Sequence, residues 1–332
     1  MKVVFRKWRA VDLILSTMLF AVWFSVDAQQ PKKVPRIGYI SVASASVVSA
    51  RLEAFQQGLR ELGYVEGKTV VIVHRYAEGN LDKLPDLVAE LIRLKMDVIL
   101  SAGAEVTRAA KEATRTIPIV MASDNDPVGN GFVASLARPG GNVTGLSTVS
   151  PDLSGKQLEL LKEVVPKLSR VAVLGDSTNT GNAQALKATK VAATALSAQL
   201  HYLDVVSPKD FETAFRDASK ARCDAVLLVL NIVAFSQRKG IVELATKNRL
   251  PAIYPRPEYV EDGGLMFYGV DVKDLSRRAA TYVDKIFKGA KPADLPIEQP
   301  MKFELFINGN TAKALGLKIP QSLLTSADKV IE

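Results

Sequence analysis

Short aliphatic and β-branched runs alternate with amphipathic helical stripes along almost the whole chain, and this alternation limits the fold more than any other feature. Residues 36–40 read as a strand. Leu52, Phe55, Leu59 and Leu62 follow at helical spacing, and Gly63 stops the helix. The cycle repeats with residues 70–73 and the stripe Leu84, Leu87, Val88, Leu91 and Ile92. It repeats again with residues 98–100, then Val106, Ala109, Ala110 and Ala113, and then residues 119–121. Strands that are apolar on both sides are covered on both faces. Alternating them with helices predicts a parallel, doubly wound α/β sheet with right-handed crossovers.

The second half echoes the first. Arg170 stands to Arg36 as Asp224 stands to Asp97 and Pro251 to Pro118, each in a matching apolar context and at nearly equal separation. A chain of 332 residues is too long for one typical core. The expected architecture is therefore two similar Rossmann-like lobes with parallel sheets. Lobe 1 is expected over 34–146 plus 272–296, and lobe 2 over 147–271 plus 297–332. The strongest turn cluster, Arg138-Pro139-Gly140-Gly141 and on to Gly145, is expected to link the lobes, with Gly140 and Gly141 at the bend. Further crossings are expected after Asp271 and near 296–303. The stripe Leu275, Ala279, Tyr282, Val283 and Ile286 is expected to cover the first lobe.

The N-terminus departs from this pattern. Lys2, Arg6, Lys7 and Arg9 precede an apolar run over 13–24 that only Ser16 and Thr17 interrupt, and Val26-Asp27-Ala28 follows. This describes a secretory signal peptide over 1–28, cleaved after Ala28. The run is shorter than the ~20 residues that span a bilayer. A periplasmic location is expected. Cys223 is the only cysteine, which excludes lipid attachment at the cleavage point and any internal disulfide.

The net charge is +8, but basic residues form no run after Arg9, so nucleic-acid binding is not expected. With 48% hydrophobic and 23% charged residues the chain is not a disordered one.

In an open parallel sheet, ligands bind beyond the carboxyl ends of the strands. Those loops fall at 41–46, 102–105 and 123–127 in the first lobe, and at 175–180, 231–234 and 254–257 in the second. They hold the candidate ligand-binding residues Ser44, Ser46, Gly103, Ala104, Asp124, Asp126, Asn179, Asn231 and Tyr254, to which Asp271 is added. Helix N-termini just after these loops suit a carboxylate. Asp124 or Asp271 is a candidate partner for an ammonium group, and Tyr254 with Phe267 for an apolar wall. Each has a plainer reading: Asp126 before Pro127 is also a helix cap, and Ser44, Ser46, Asn179 and Asn231 also suit caps and turns. His74 and His201 lie in strands without partner motifs. No phosphate-cradling loop, metal-ligand cluster or catalytic constellation is present in the sequence, so no cofactor, no metal and no enzymatic activity are expected.

Several stretches resemble a known family. They are Arg36-Ile37-Gly38-Tyr39, Gly58-Leu59-Arg60-Glu61-Leu62-Gly63-Tyr64, Ser135-Leu136-Ala137-Arg138-Pro139-Gly140-Gly141-Asn142-Val143-Thr144-Gly145, Glu258-Tyr259-Val260, Gly263-Gly264-Leu265-Met266 and Ala312-Lys313-Ala314-Leu315-Gly316-Leu317. Over nearly its whole mature length the chain resembles the ABC-transporter substrate-binding proteins related to the tryptophan-binding protein of streptococci. The resemblance implies a type I periplasmic-binding fold with a three-segment hinge. It also implies a ligand closed between the lobes and delivery to an ABC permease in the inner membrane. The chain departs from the family at Phe267 and at Asp176-Ser177-Thr178. Together with the loop chemistry this predicts a monomeric receptor for a small amino acid or related carboxylate. Three other readings fit part of the pattern. A periplasmic sensor presenting its bound state to a membrane receptor shares every feature. A transcription factor's ligand-sensing core would need a DNA-binding segment where the signal stands. A secreted enzyme would need a catalytic site.

Overall fold

The computed structural model describes residues 33–148, 153–229 and 232–332. The expected signal peptide and Asn231 lie outside the described residues. Lobe 1 runs β1 (Arg36–Ser41), α1 (Ala45–Glu61), β2 (Val71–Tyr76), α2 (Leu84–Arg93), β3 (Val98–Ala102), α3 (Ala104–Ala113), β4 (Ile119–Asp124) and β5 (Val143–Ser147). Its five strands are all parallel, in the order β2-β1-β3-β4-β5. Successive side chains of a strand point to opposite faces. Val98 and Leu100 accordingly pack with Phe55 and Leu59 on one face of the sheet, while Ile99 packs with Val88, Leu91, Val106 and Ala110 on the other. Leu62, in the sequence stripe, falls past the end of α1 and is exposed.

Lobe 2 runs α4 (Leu153–Val164), β6 (Arg170–Gly175), α5 (Thr180–Ala195), β7 (Gln199–Asp204), α6 (Asp210–Lys220), β8 (Ala225–Leu228), α7 (Ile232–Ser236), α8 (Arg238–Lys247), β9 (Ala252–Tyr254), α9 (Glu258–Glu261) and β10 (Met266–Val270). The chain then returns through α10 (Val272–Phe287), whose Leu275, Ala279, Tyr282 and Val283 join the core of lobe 1. Gly58 of α1 meets α10 so closely that a Cβ there would stand 2.3 Å from the Arg277 carbonyl oxygen. Lobe 2 is completed by β11 (Phe303–Asn308), α11 (Gly309–Leu315), α12 (Gln321–Ser326) and β12 (Lys329–Ile331). Its sheet has the order β12-β11-β10-β9-β8-β6-β7.

The expectation of wholly parallel sheets fails at one place: β11 is antiparallel to β10. The reason lies in the path. The chain leaves lobe 2 at the end of β10 and re-enters at the start of β11, so Val270 pairs with Phe303 and the strand runs back.

The first crossing follows Ser147, later than the turn cluster at 138–145 that was expected to carry it. That cluster stays within lobe 1, where it leads into the edge strand β5. Asn142 Nδ2 donates to the carbonyls of Thr114 (3.1 Å) and Ile117 (2.9 Å), and Thr144 Oγ1 donates to Leu295 O (2.7 Å). Gly140 and Gly141 therefore do not sit at a hinge, and the Asn142 side chain of the sequon is engaged inside the lobe. The second crossing is at Asp271. The third passes beside β5, where Ser147 N donates to Glu298 O (2.8 Å), and on to Lys302. The second and third are tied together. Asp271 N donates to Lys302 O at 3.1 Å, and the Lys302 ammonium lies 2.8 Å from Asp271 Oδ2.

Candidate ligand-binding cleft

A cavity of about 660 Å³ opens between the carboxyl ends of the two sheets. Lobe 1 supplies the ends of β1, β3 and β4: Ser41 and Ser44, then Gly103, Ala104 and Glu105, then Ser123 and Asn125. Lobe 2 supplies Asn179 after β6, Phe235 and Arg238 around α7, and Arg256 after β9. Tyr39, Phe55 and Leu100, all buried, form an apolar floor. Gly103 holds φ at +124° and so turns the chain straight into α3, a conformation that residues with a Cβ rarely adopt. Beyond Asn125, Thr148 and Arg256 a second cavity of about 560 Å³ continues between α4 and α5.

Among the described residues two polar side-chain contacts join the lobes across the cleft. The Arg51 guanidinium of α1 lies 2.9 Å from Glu258 Oε1 of α9. Asn125 Nδ2 donates to Asn179 Oδ1 at 2.9 Å. Burial pushes the Glu258 carboxyl up, but the cations of Arg51 and Arg256 outweigh it and hold the group below the usual glutamate range. Arg238 lies 2.7 Å from Asp262 Oδ2, with its guanidinium carbon 5.2 Å from the centre of the Phe235 ring. Glu78 and Glu105 put carboxylates on the lobe 1 side.

Of the residues singled out from the sequence, Ser44, Gly103, Ala104 and Asn179 line this cleft. Asn179 also caps α5, accepting from Asn182 N. Ser46 is exposed and hydrogen-bonded to Ser44 at 3.1 Å, off the cleft wall. The remaining described candidates are structural. Asp124 is 2% exposed, and its Oδ1 accepts from Asp126 N at 2.9 Å and from Asn130 Nδ2 at 3.3 Å. Asp126 is buried and accepts from Gly129 N at 2.8 Å, which closes the turn after β4. Asp271 caps α10 and pairs with Lys302, so it has no oxygen to spare for an ammonium group. Tyr254 is buried in the core of lobe 2, stacked on Tyr259 at 4.8 Å and 9°. Phe267 is equally buried, edge-on to Phe306. Neither forms a ligand wall, because both lie within strands whose side chains enter the sheet's packing layers.

The cleft's own chemistry came from neighbours of these residues. Arg256 is two positions beyond Tyr254, and Asn125 lies between the two aspartates. Both fall in loops marked from the sequence, but nothing in the sequence told which loop side chain turns toward the gap. Arg51 and Glu258 lie on helices, outside the loops marked from the sequence. Among the described residues no group of three or more His, Cys, Asp or Glu could hold a metal ion, and no helix is long and apolar enough to cross a membrane.

The profile of the ABC transporter substrate binding protein family matches residues 37–331. The chain belongs to this family. A tyrosine-binding protein of Clostridioides difficile (strain R20291) is 25% identical to this substrate-binding protein over 288 residues, covering 86% of this chain and 82% of that one. Two solved structures each superpose with a TM-score of 0.83 at 26% identity and cover 90% of this chain. They are a conserved domain protein of Vibrio cholerae, matched over 100% of its length, and an ABC domain in complex with L-Trp from Streptococcus pneumoniae, matched over 99%. The two α/β lobes of this substrate-binding protein form the type I periplasmic-binding fold.

Proposed function

We propose that the chain is exported and, as a monomer, receives an amino acid with a bulky apolar side chain between its lobes. It then closes over that ligand and presents it to the permease of an ABC importer in the inner membrane. The observation that carries this reading is the mixed chemistry of the cleft. Tyr39, Phe55 and Leu100 make an apolar floor, and Phe235 faces the same space from lobe 2. Charges of both signs surround them, Glu78 and Glu105 from lobe 1 and Arg256 from lobe 2. A zwitterion with an apolar side chain meets each of these surfaces with its complement. A site of a few convergent polar groups on apolar walls is how small-molecule pockets achieve orientation and affinity together. The names of the relatives, one for tyrosine and one solved with L-Trp, support the same class. A ligand held by both lobes favours the closed form and shifts the population toward it. Residues 1–28 support export.

The test is calorimetry over the twenty amino acids, a sugar panel and simple carboxylates, with native mass spectrometry of protein recovered from the periplasm. Binding of one or more bulky apolar amino acids at micromolar affinity or tighter is expected (about −8 kcal/mol). Binding of sugars alone would overturn the reading.

A further inference from the structure

We infer that Arg256 anchors the carboxylate of the ligand, and that it is free to do so because Arg51 of the opposite lobe occupies the neighbouring carboxylate of Glu258. This rests on the amino-acid reading above and adds a specific polar contact to it.

Three guanidinium groups face the cleft, and two of them are engaged. Arg51 holds Glu258 Oε1 at 2.9 Å. Arg238 sits 2.7 Å from Asp262 and over the Phe235 ring. Among the described residues the Arg256 side chain makes no hydrogen bond or close ion pair; the Glu258 carboxylate two residues on acts on it only through space, and Glu258 Oε2 makes no hydrogen bond. Arg256 is half-buried and lines both cavities at the point where they meet. A partly desolvated cation that no carboxylate contacts directly is costly, and an incoming anion in contact with it offsets that cost. Burial and the like charge of Arg51 push its pKa down to about 10, which still leaves it charged at neutral pH.

The backbone at Arg256 is set in advance. Pro255 and Pro257 flank it. Pro257 keeps Arg256 out of the helical region, and each proline fixes its own φ. The preceding Tyr254 is locked in the core against Tyr259. A planar guanidinium carried on a constrained backbone presents two parallel N–H groups to a carboxylate, which an ammonium does not.

The experiment compares acids with amides. Wild type, Arg256→Gln and Arg256→Lys are titrated with L-tryptophan, L-tyrosine, their carboxamides, and the deaminated acid indole-3-propionate. Thermal midpoints are recorded to establish that each variant is folded. Wild type is expected to prefer acid over amide strongly. Arg256→Gln should lose roughly 30-fold or more in affinity for the acids while its affinity for the amides changes less than about threefold. Arg256→Lys should fall between the two. Equal binding of acid and amide by wild type would overturn the assignment, and so would a parallel loss of both in the variants. If wild type binds only the deaminated acid and Arg256→Gln loses it, the anchor stands and the amino-acid reading falls. If no carboxylate binds wild type, both fall.

Discussion

Asp124 closes β4 with a carboxyl that the fold keeps from water. Only Oδ1 is hydrogen-bonded, Oδ2 is buried without a partner, and burial raises the pKa to about 6. Glu105 and Asp126 push it in the same direction. The folded value lies above the unfolded one of about 3.9, so the stability linked to the protonated form is present below pH 4 and lost as pH rises through 6. Asp124→Asn keeps the shape and cannot ionise. Its stability relative to wild type should therefore grow with pH, levelling above pH 6 at up to ~3 kcal/mol. Urea unfolding of both proteins at pH 4.5 and pH 8 checks this, and an equal gap at the two values would refute it. The same residue shows where a sequence stops being informative. Strand-end loops could be located because buried strands need uninterrupted apolar runs, such as 98–100 and 119–121. Whether Asp124, Asn125 or Asp126 reaches the cleft depends on one turn, which Gly129 and Asn130 fix from outside the loop. Tyr254 and Arg256 repeat the lesson. The aromatic ring that looked like a ligand wall serves the core, and the cation two residues on faces the gap.

At the scale of the element, the packing of α1 on α10 depends on an atom that is missing. Glycine within a helix ordinarily costs ~1 kcal/mol relative to alanine. At Gly58 the sign should invert, since a Cβ there would meet the Arg277 carbonyl at 2.3 Å and the Ala280 Cβ at 2.9 Å. Backbone cannot yield as a side-chain tip does, and overpacking of this kind costs ~1–3 kcal/mol. Gly58→Ala is therefore expected to destabilise. Gly155→Ala in α4 should be neutral or stabilising, because its Cβ would meet only Ala192 at an ordinary 3.5 Å. Chemical denaturation of the pair decides the matter: stabilisation by Gly58→Ala would show that the helices move apart freely. The helices themselves were legible from their stripes. This close approach was not, because Gly58 and Arg277 are far apart in sequence and neither carries a local signal of contact.

Across the whole molecule, the ion pair Arg51–Glu258 bridges two lobes whose sheets share no strand. Its side chains are 21% and 26% exposed, between a surface pair of negligible strength and a dry buried one. Arg51→Ala and Glu258→Ala should each speed ligand release several-fold. Together they should do less than the sum, with a coupling of about 0.5–1.5 kcal/mol that shrinks at high salt. Stopped-flow release of tryptophan from the four proteins completes the cycle, and strict additivity would mean that the pair does not hold the lobes together.

The chain passes between the lobes three times, and the last two passages are fastened to each other by Asp271 and Lys302. Neither lobe is consequently a continuous stretch of polypeptide. The first lacks the layer formed by α10 until residue 287 has been made, and the second lacks β11 and β12 until residue 331. A growing chain therefore holds an incomplete core in its first half until residue 287 and in its second half until residue 331. A chain cut short before residue 287 leaves both lobes incomplete, and one cut short before residue 331 still leaves the second without its last strand.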